Sequence, residues 1–226
     1  MAEIIAVFDL EGTLCQSGKL IWHRMVKLRS GQAGGIFRVV PHVLHQILIS
    51  SLLKTKLIGE YKARVIAMES MAFLIAGLKV AEIEKLAEII APEIIATVRP
   101  DIKKLLDAHL EQSHRVILAS GQFQPFLAAI GKKLNVNSML GTGLETKGAT
   151  YTGRVIDAVC FGEHRVSRIK DYIEKNGLDV DFAKSYAYGD MKWDCPVLEL
   201  VGNPVAVYPD TDLRTYAQGK DWKIIS

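Results

Sequence analysis

The stretch Phe8–Leu14, in which an acidic loop containing a glycine directly follows a short apolar run, constrains the fold of this 226-residue chain most strongly. The apolar run, Ile4 to Phe8, has the length and composition of a buried parallel strand and is short for a helix. Asp9 therefore lies where a strand ends, and Gly12 allows a sharp turn just beyond it. Because ligands bind at the carboxyl ends of strands in open α/β sheets, Asp9 is a candidate functional residue. An Asp that caps a following helix is the alternative.

Apolar runs and helical segments alternate in the C-terminal part of the chain. Strands are predicted over 115–119, 138–140, 185–188 and 205–207, with a hairpin over 143–155. Helices are predicted over 100–111, 126–134, 163–176 and 196–201. This alternation is typical of a mostly parallel sheet with right-handed crossovers. We therefore predict an α/β fold with a three-layer, Rossmann-like parallel-sheet core.

The segment directly after Leu14 has helical periodicity and no convincing strand. Four helices are predicted there, over 19–28, 41–53, 59–76 and 80–90, the second of them opened by Pro41. We predict that residues 1–14 and 92–226 form the α/β core and that residues 15–91 form an all-helical cap inserted into it.

Composition places the chain among soluble proteins. It has 49% apolar and 23% charged residues, which is ordinary for a globular protein. The longest nearly uncharged stretch, Val39 to Leu53, is predicted to be too short and too polar to span a bilayer easily. The three cysteines are scattered and lack metal-ligand spacing, which suits the reducing cytoplasm.

Positive charge is concentrated in the predicted cap. Residues 15–91 contain 11 Lys or Arg and 5 Asp or Glu, whereas the rest of the chain contains 17 and 20. This asymmetry favours an anionic partner, either a phosphorylated substrate or an anionic membrane surface that the basic cap contacts transiently. A solvated basic helical face is the alternative. The sequence points to no nucleic-acid partner and leaves the oligomeric state open.

Polar residues follow three of the predicted core strands. Asp9 ends the first, Ser120 the second and Asp190 the fourth, and Asp194 lies one turn beyond Asp190. Parallel strands bring their carboxyl ends to one edge, so these side chains are expected to converge. Carboxylates that crowd together repel one another unless a cation lies between them. An all-oxygen ligand set without His or Cys favours Mg²⁺.

These segments resemble the motifs of the haloacid dehalogenase superfamily. Asp9–Thr13 is similar to its first motif, Ser120 to its second, and Gly189–Asp194 to its fourth. The run 196–207, together with 152–153 and 160–163, resembles the branch that contains the phosphoserine phosphatases. The resemblance covers the whole chain, including a helical cap inserted after the first motif.

The resemblance implies a phosphatase that acts through a covalent intermediate on a phosphorylated small molecule. Asp9 would attack phosphorus and form an aspartyl-phosphate. Mg²⁺ would be held by Asp9, the main-chain carbonyl of Glu11 and Asp190, with support from Asp194. Ser120 would donate a hydrogen bond to a phosphoryl oxygen.

The amide of Gly121 is a further candidate ligand for the phosphoryl group.

Two positions depart from the family pattern. Glu11 occupies the place of an aspartate that acts as general acid and base, and its extra methylene shifts the carboxyl by about 1 Å. Arg165 occupies the place of the third-motif lysine, with a longer, planar cation. Lys147 and Lys192 are alternatives for that role.

These departures leave two functions to compare: a Mg²⁺-dependent phosphomonoester hydrolase, and a catalytically impaired domain that binds a phosphorylated ligand or partner. Dehalogenation is disfavoured because it does not require the acidic pair Asp190 and Asp194, whereas transfer of the phosphoryl group to an acceptor other than water stays open. The basic, apolar cap favours a larger anionic or lipid-like phosphate over phosphoserine.

Overall fold

A computed structural model of the chain describes residues 2–16, 19–136 and 138–226. The strands in these ranges are β1 (Ile5–Phe8), β2 (Arg115–Phe123), β3 (Ser138–Thr142), β4 (Leu144–Lys147), β5 (Thr150–Val155), β6 (Tyr186–Gly189), β7 (Asn203–Val207) and β8 (Lys223–Ile225). The helices are α1 (Lys19–Ser30), α2 (Ile36–Lys54), α3 (Glu60–Leu74), α4 (Val80–Ile95), α5 (Pro100–Glu111), α6 (Gln124–Lys133), α7 (Glu163–Lys175), α8 (Cys195–Leu198) and α9 (Thr211–Gly219).

Six parallel strands form the central sheet, in the order β3-β2-β1-β6-β7-β8. The central strand β1 pairs Val7 with Ile117 of β2 and with Ala187 of β6. All four residues of β1 are buried, which explains its uniformly apolar sequence. The predicted α/β fold with a Rossmann-like parallel sheet is confirmed.

Alternate residues of β1 face two helical layers. Ala6 and Phe8 pack into a cluster that includes residues of α4, α5 and α6. Ile5 and Val7 pack on the other side, in a cluster that includes residues of α7, α8 and α9. The period-two alternation of side chains along a strand gives this three-layer arrangement.

Helices α1 to α4 follow the first strand, and no strand is assigned within the described residues 19–95. The antiparallel hairpin β4–β5 lies against the turn that joins α3 to α4, where the Gly77 amide donates to the Tyr151 carbonyl at 2.7 Å. We propose that these helices form the predicted cap of residues 15–91. The helix α4 continues through Pro92 to Ile95, so the predicted boundary lies inside a helix.

The second helix is longer than predicted. It begins at Ile36, directly after the glycine-containing turn, and Pro41 lies inside it rather than at its first position. Among the described residues, α2 is the single helix whose length and apolar composition would allow it to cross a membrane. The helix meets that length because it begins three residues before the stretch Val39–Leu53 that was predicted to be too short and too polar; the finding rests on length and composition alone.

The last helix and the last strand were not predicted. After β7, the Asp210 carboxylate accepts a hydrogen bond from the Leu213 amide at 2.7 Å and caps α9. The chain then returns as β8, which adds a parallel edge strand. An Asp directly before a short helix is a helix-start signal, and Asp210 is such a residue in this sequence.

A buried histidine of α5, His109, which contacts the partly buried His114 beyond the helix, provides a pH-dependent contribution to stability. The His109 ring is 6% exposed, lies 2.8 Å from the Tyr188 hydroxyl, and has its Nδ1 2.8 Å from Nδ1 of His114. Burial, with a smaller contribution from the His114 charge, lowers the pKa of His109 to about 4. Between about pH 6.5 and this value the unfolded chain binds a proton that the folded chain does not, so stability falls as pH falls.

We expect the free energy of unfolding to decrease by about 2 kcal/mol through His109 between about pH 7.5 and about pH 5. Urea unfolding of the wild type and of His109→Gln at both pH values measures this. The variant is expected to lose most of the pH dependence, and His164→Gln, at an exposed position, to retain it. An equal pH dependence in His109→Gln would show that other groups cause it.

Candidate active site

The seven residues predicted to form the site line one cavity of about 210 Å³. They are Asp9, Glu11, Ser120, Gly121, Arg165, Asp190 and Asp194. Asp9 directly follows β1, Ser120 lies in β2, and Asp190 directly follows β6. Adjacent parallel strands therefore bring together residues that are more than a hundred positions apart in the sequence.

Three carboxylates form the floor of the cavity. One oxygen from each of Asp9, Asp190 and Asp194 can be chosen so that all three lie within 4.8 Å of one another. Asp9 and Asp194 are 6% and 3% exposed, and Asp190 is partly buried. Such a group of buried like charges requires positive charge nearby.

Arg165 supplies part of that charge from the first turn of α7. Its Nη2 lies 3.0 Å from Oδ1 of Asp9, and its Nη1 donates to Oδ1 of Asp194 at 2.6 Å. Arg165 is 3% exposed, so it is buried in the site although it lies in the first turn of a helix. Burial lowers the pKa of Arg165, but the Asp9 and Asp194 carboxylates outweigh that effect and the net shift is upward.

The loops after β1 and β6 fix the carboxylates against each other. The Thr13 hydroxyl donates to Oδ1 of Asp190 at 2.9 Å. Gly12 has a φ of +90°, and a Cβ there would lie 2.1 Å from Oδ2 of Asp190. Asp194 Oδ2 accepts hydrogen bonds from the amides of Asp190 and Met191, both at 2.9 Å. The glycine of the first motif is therefore required both by its backbone conformation and by the close approach of Asp190.

The electrostatics of the cluster fit a divalent cation with oxygen ligands. Burial raises the pKa of Asp9 well above its usual range, Arg165 opposes the rise, and the Asp194, Asp190 and Glu11 charges add to it. Burial and the Asp194 charge raise the pKa of Asp190 to about 7, against the Thr13 hydrogen bond. Arg165 alone does not neutralise these carboxylates, whereas a cation between them would.

Glu11 lies beside the carboxylate cluster and is held by a residue that was not predicted. The Gln122 side-chain amide donates to Oε1 of Glu11 at 2.7 Å, and Oε1 of Gln122 accepts from the Phe123 amide at 2.9 Å. Burial raises the pKa of Glu11, while the Gln122 hydrogen bond and the charges of Arg64 and Arg165 oppose the rise. Gln122 thus fixes the longer side chain that replaces the family's aspartate.

This contact leads to a prediction about turnover. Glu11→Gln is expected to lower kcat on the order of a hundredfold or more, because it removes the carboxyl that the resemblance assigns to general acid and base catalysis. Gln122→Ala is expected to lower kcat about tenfold with little change in KM, because the Glu11 carboxyl loses its orientation. Steady-state kinetics on an aryl phosphate measure both.

Gln124→Ala is the matched control for Gln122→Ala. Gln124 is bonded to the main chain of β3, at Met139 and Gly141, and does not line the cavity. An equal loss of kcat in both glutamine variants would contradict a positioning role for Gln122.

Ser120 and Gly121 line the cavity from β2, the strand next to β1. Ser120 is 2% exposed and its Oγ accepts a hydrogen bond from the Gln122 amide at 3.3 Å. The strand continues to Phe123, which is the N-cap of α6, so Ser120 does not cap that helix. The Ser120 hydroxyl proton is therefore available for a ligand in the cavity.

Helix α3 also lines the cavity. It contributes Arg64, Val65, Ala67 and Met68 to the lining. The sequence showed the apolar stripe of this helix but gave no signal that Arg64 faces the site. Lys147 and Lys192, the alternatives for the cation, are exposed and do not line the cavity.

A larger groove of about 890 Å³ runs beside α5 and β6 to β8. It is lined by residues such as His109, Tyr186 and Trp222 and by none of the residues of the carboxylate cluster. The chemistry of the chain is therefore assigned to the smaller cavity, where charged groups converge.

Comparisons with known proteins agree with this arrangement. The chain is 29% identical to a putative hydrolase of Mycobacterium leprae over 97% of this chain and 71% of the relative. It is 29% identical to a phosphoserine phosphatase of Mycobacterium tuberculosis over 97% of this chain and 69% of the relative. It is 28% identical to a histidinol-phosphatase of Neisseria meningitidis over 62% of this chain and 64% of the relative.

Solved structures show the same fold. A Bordetella pertussis protein of unknown function matches with a TM-score of 0.83 and 23% identity, over 100% of this chain and 99% of its own. A substrate-bound phosphoserine phosphatase matches with a TM-score of 0.65 and 16% identity, over 100% of this chain and 93% of its own. The family of haloacid dehalogenase-like hydrolases matches residues 6–199, a span that includes every residue of the carboxylate cluster. The chain belongs to the haloacid dehalogenase-like hydrolases.

Proposed function

We propose that the chain is a Mg²⁺-dependent phosphomonoester hydrolase that acts through an aspartyl-phosphate on a small or lipid-like phosphorylated metabolite. One observation carries the proposal: the Asp9 carboxylate is paired with Arg165, adjoins Asp190 and Asp194, and lines the same cavity as Ser120. The relatives named as phosphatases support the same class of reaction.

In the first step, an Asp9 oxygen attacks phosphorus while the bond from phosphorus to the leaving oxygen breaks. Glu11 donates a proton to that leaving oxygen, which departs as the alcohol. In the second step, Glu11 accepts a proton from water as the water oxygen attacks the aspartyl-phosphate, releasing phosphate and regenerating the Asp9 carboxylate.

Arg165 and Ser120 hold the phosphoryl oxygens in this scheme. Arg165 pairs with Asp9 before the reaction and is close enough to compensate charge on a bound phosphoryl group. Asp9, Asp190, Asp194 and the main-chain carbonyl of Glu11 would hold Mg²⁺. The ion would neutralise phosphoryl charge when bound.

The alternative function is binding of a phosphorylated ligand without turnover, which Glu11 motivates. Hydrolysis of p-nitrophenyl phosphate with and without Mg²⁺ separates the two. We expect turnover that EDTA removes and that added Mg²⁺ restores. Folded protein that hydrolyses no phosphate ester with Mg²⁺ present would contradict the hydrolase and leave the binding function.

The part of the cavity lined by α3 favours a substrate other than phosphoserine. Arg64, Val65 and Met68 line it, and no acidic residue of α3 does. A substrate ammonium group would therefore face a cation and apolar side chains. In a screen of phosphorylated metabolites, we expect phosphoserine to have a lower kcat/KM than anionic or lipid-like phosphates.

We also propose that the chain acts in the cytoplasm, which the scattered cysteines support. Among the described residues, which include all three cysteines, no disulfide is formed.

A further inference from the structure

The helix α2 exposes an apolar face on the surface of the protein. Apolar side chains three or four residues apart form a continuous stripe along it, as the helical period requires. Phe37, Leu44 and Leu48 are 81%, 60% and 54% exposed. The stripe, called here the outward face of α2, consists of Ile36, Phe37, Val40, Leu44, Ile47 and Leu48.

The opposite face of α2, which packs on α1 and α3, carries polar side chains. His42 is 1% exposed; its Nε2 accepts from the Trp22 indole at 2.8 Å, so its Nδ1 donates toward the Ser70 hydroxyl at 2.9 Å. The Gln46 side-chain amide donates to the Ala67 carbonyl at 3.2 Å. Val39 and Ile49 are also buried on this face, so it combines apolar and hydrogen-bonding side chains. The large apolar side chains of the outward face are instead exposed, which is unusual for a surface helix in water.

The charges around α2 identify what covers this face. Residues 12–59 contain no Asp or Glu. The same segment contains seven basic residues, Lys19, Arg24, Lys27, Arg29, Arg38, Lys54 and Lys56. Arg24 pairs with Glu93. Lys54 and Lys56, by contrast, lie exposed at or just beyond the end of α2. An apolar helical face flanked by exposed basic residues matches the surface of an anionic bilayer, where acyl chains lie beneath negatively charged headgroups.

A second copy of the chain fits this face less well. A symmetric dimer would bring the same basic segment of both copies together, and like charges at an interface are unfavourable.

Insertion across the bilayer also conflicts with the contacts of α2. The neighbouring helix α3 carries the exposed charges Lys62, Arg64 and Glu69 and could not accompany α2 into the hydrocarbon. Without α3, His42 and Gln46 would lose the Ser70 and Ala67 partners that they have in the fold.

We propose that the outward face of α2 docks the protein in the plane of an anionic lipid bilayer surface. Phe37, Leu44 and Leu48 enter the boundary between headgroups and acyl chains, while Lys54 and Lys56, both exposed at the end of the helix, contact anionic headgroups. Ala67 accepts the Gln46 hydrogen bond and also lines the catalytic cavity, so α3 links the docked helix to the site. The inference concerns membrane binding and does not depend on turnover.

Vesicle sedimentation tests the proposal with the intact chain. The probes are vesicles of phosphatidylcholine alone and vesicles that contain about one third phosphatidylglycerol. We expect the wild type to bind the anionic vesicles at least about tenfold more strongly than the neutral ones, and high salt to weaken that binding.

Two double variants separate the apolar and charged contributions. Leu44→Gln with Leu48→Gln is expected to weaken binding at least about tenfold, and Lys54→Gln with Lys56→Gln about tenfold. The matched control replaces two apolar residues elsewhere, Ile89→Gln with Ile156→Gln, which are 55% and 45% exposed, and is expected to bind as the wild type does. All variants are expected to give the wild-type circular dichroism spectrum and melting temperature, which shows that they are folded.

Four results would overturn the proposal. In the first, the folded wild type binds neither vesicle, and in the second, the leucine variants bind as well as the wild type. In the third, the wild type binds no vesicle and is a dimer that the leucine substitutions convert to a monomer. In the fourth, the bound protein resists extraction from vesicles at alkaline pH, which would indicate a spanning helix.

Discussion

The substitution Asp9→Asn is expected to lower kcat on an aryl phosphate by about ten-thousandfold or more. The amide keeps the shape of the side chain but is a poor nucleophile, and it cannot form the acyl phosphate on which the second step depends. The loss belongs to the chemical step, so binding of a phosphate ester is expected to persist. Steady-state kinetics with Mg²⁺ measure the loss.

The same substitution is expected to leave the melting temperature unchanged or raised in the absence of metal. The pKa of Asp9 is raised in the folded state, chiefly by burial, so the ionised carboxylate costs stability at neutral pH. Removing the charge relieves that cost, so a melting temperature at or above the wild-type value would show that the inactivity does not come from unfolding.

Asp212→Asn is the control for the loss of activity, since Asp212 is an exposed partner of Lys192 outside the cavity. It is expected to keep wild-type turnover. Activity of Asp9→Asn within about tenfold of the wild type would contradict nucleophilic catalysis by Asp9.

The substitution Arg165→Ala is expected to cost about 3–5 kcal/mol of unfolding free energy, because it leaves two buried carboxylates without their cation. Asp9 and Asp194 both depend on this guanidinium. Turnover is expected to fall on the order of a hundredfold or more, since the phosphoryl group loses a positive contact. Urea unfolding and steady-state kinetics measure the two effects.

Three comparisons make this prediction specific. Arg165→Lys keeps one charge but cannot reach both carboxylates in the same way, so it is expected to recover part of the stability. Mg²⁺ is expected to stabilise Arg165→Ala more than it stabilises the wild type, because the ion would supply the missing charge. Arg168→Ala, three residues further along α7, removes a hydrogen bond to the Ala158 carbonyl and is expected to leave turnover unchanged.

If Arg165→Ala and the wild type had the same midpoint of urea unfolding, a role for this cation in stabilising the carboxylate cluster would be contradicted.

The strand ends could be predicted from the sequence because two physical constraints coincide there. A strand such as β1 that is buried on both faces must be apolar throughout, so the polar residue that follows it is conspicuous. Parallel pairing then requires that Asp9, Ser120 and Asp190 lie at one edge. The structure places them in one cavity for this reason.

Gln122 and Arg64 could not be predicted in the same way. Gln122 lies three residues beyond the predicted end of β2, and its contact with Glu11 depends on how the end of β2 and the segment after β1 approach each other. Arg64 faces the cavity because α3 packs over the sheet edge, and the period of the helix does not specify which of its faces does so.

The boundaries of α2 and the exposure of its apolar face have a related explanation. Proline favours the first turn of a helix, but the glycine-containing turn before Ile36 determined the start instead. Apolar periodicity predicts that one face of a helix is apolar, but it does not predict which face is buried. The structure shows which face of α2 packs against α1 and α3. In α2 the packed face is the one that contains His42.

The most direct test of the proposed mechanism is chemical trapping of the intermediate on Asp9. The wild type is mixed with an excess of substrate and Mg²⁺, quenched in acid during turnover, and reduced with borohydride, which converts an aspartyl-phosphate to homoserine. Peptide mass spectrometry then locates the modified residue. We predict homoserine at position 9 in the wild type and its absence without substrate; turnover with unmodified Asp9, or with the modification at another carboxylate, would contradict the mechanism.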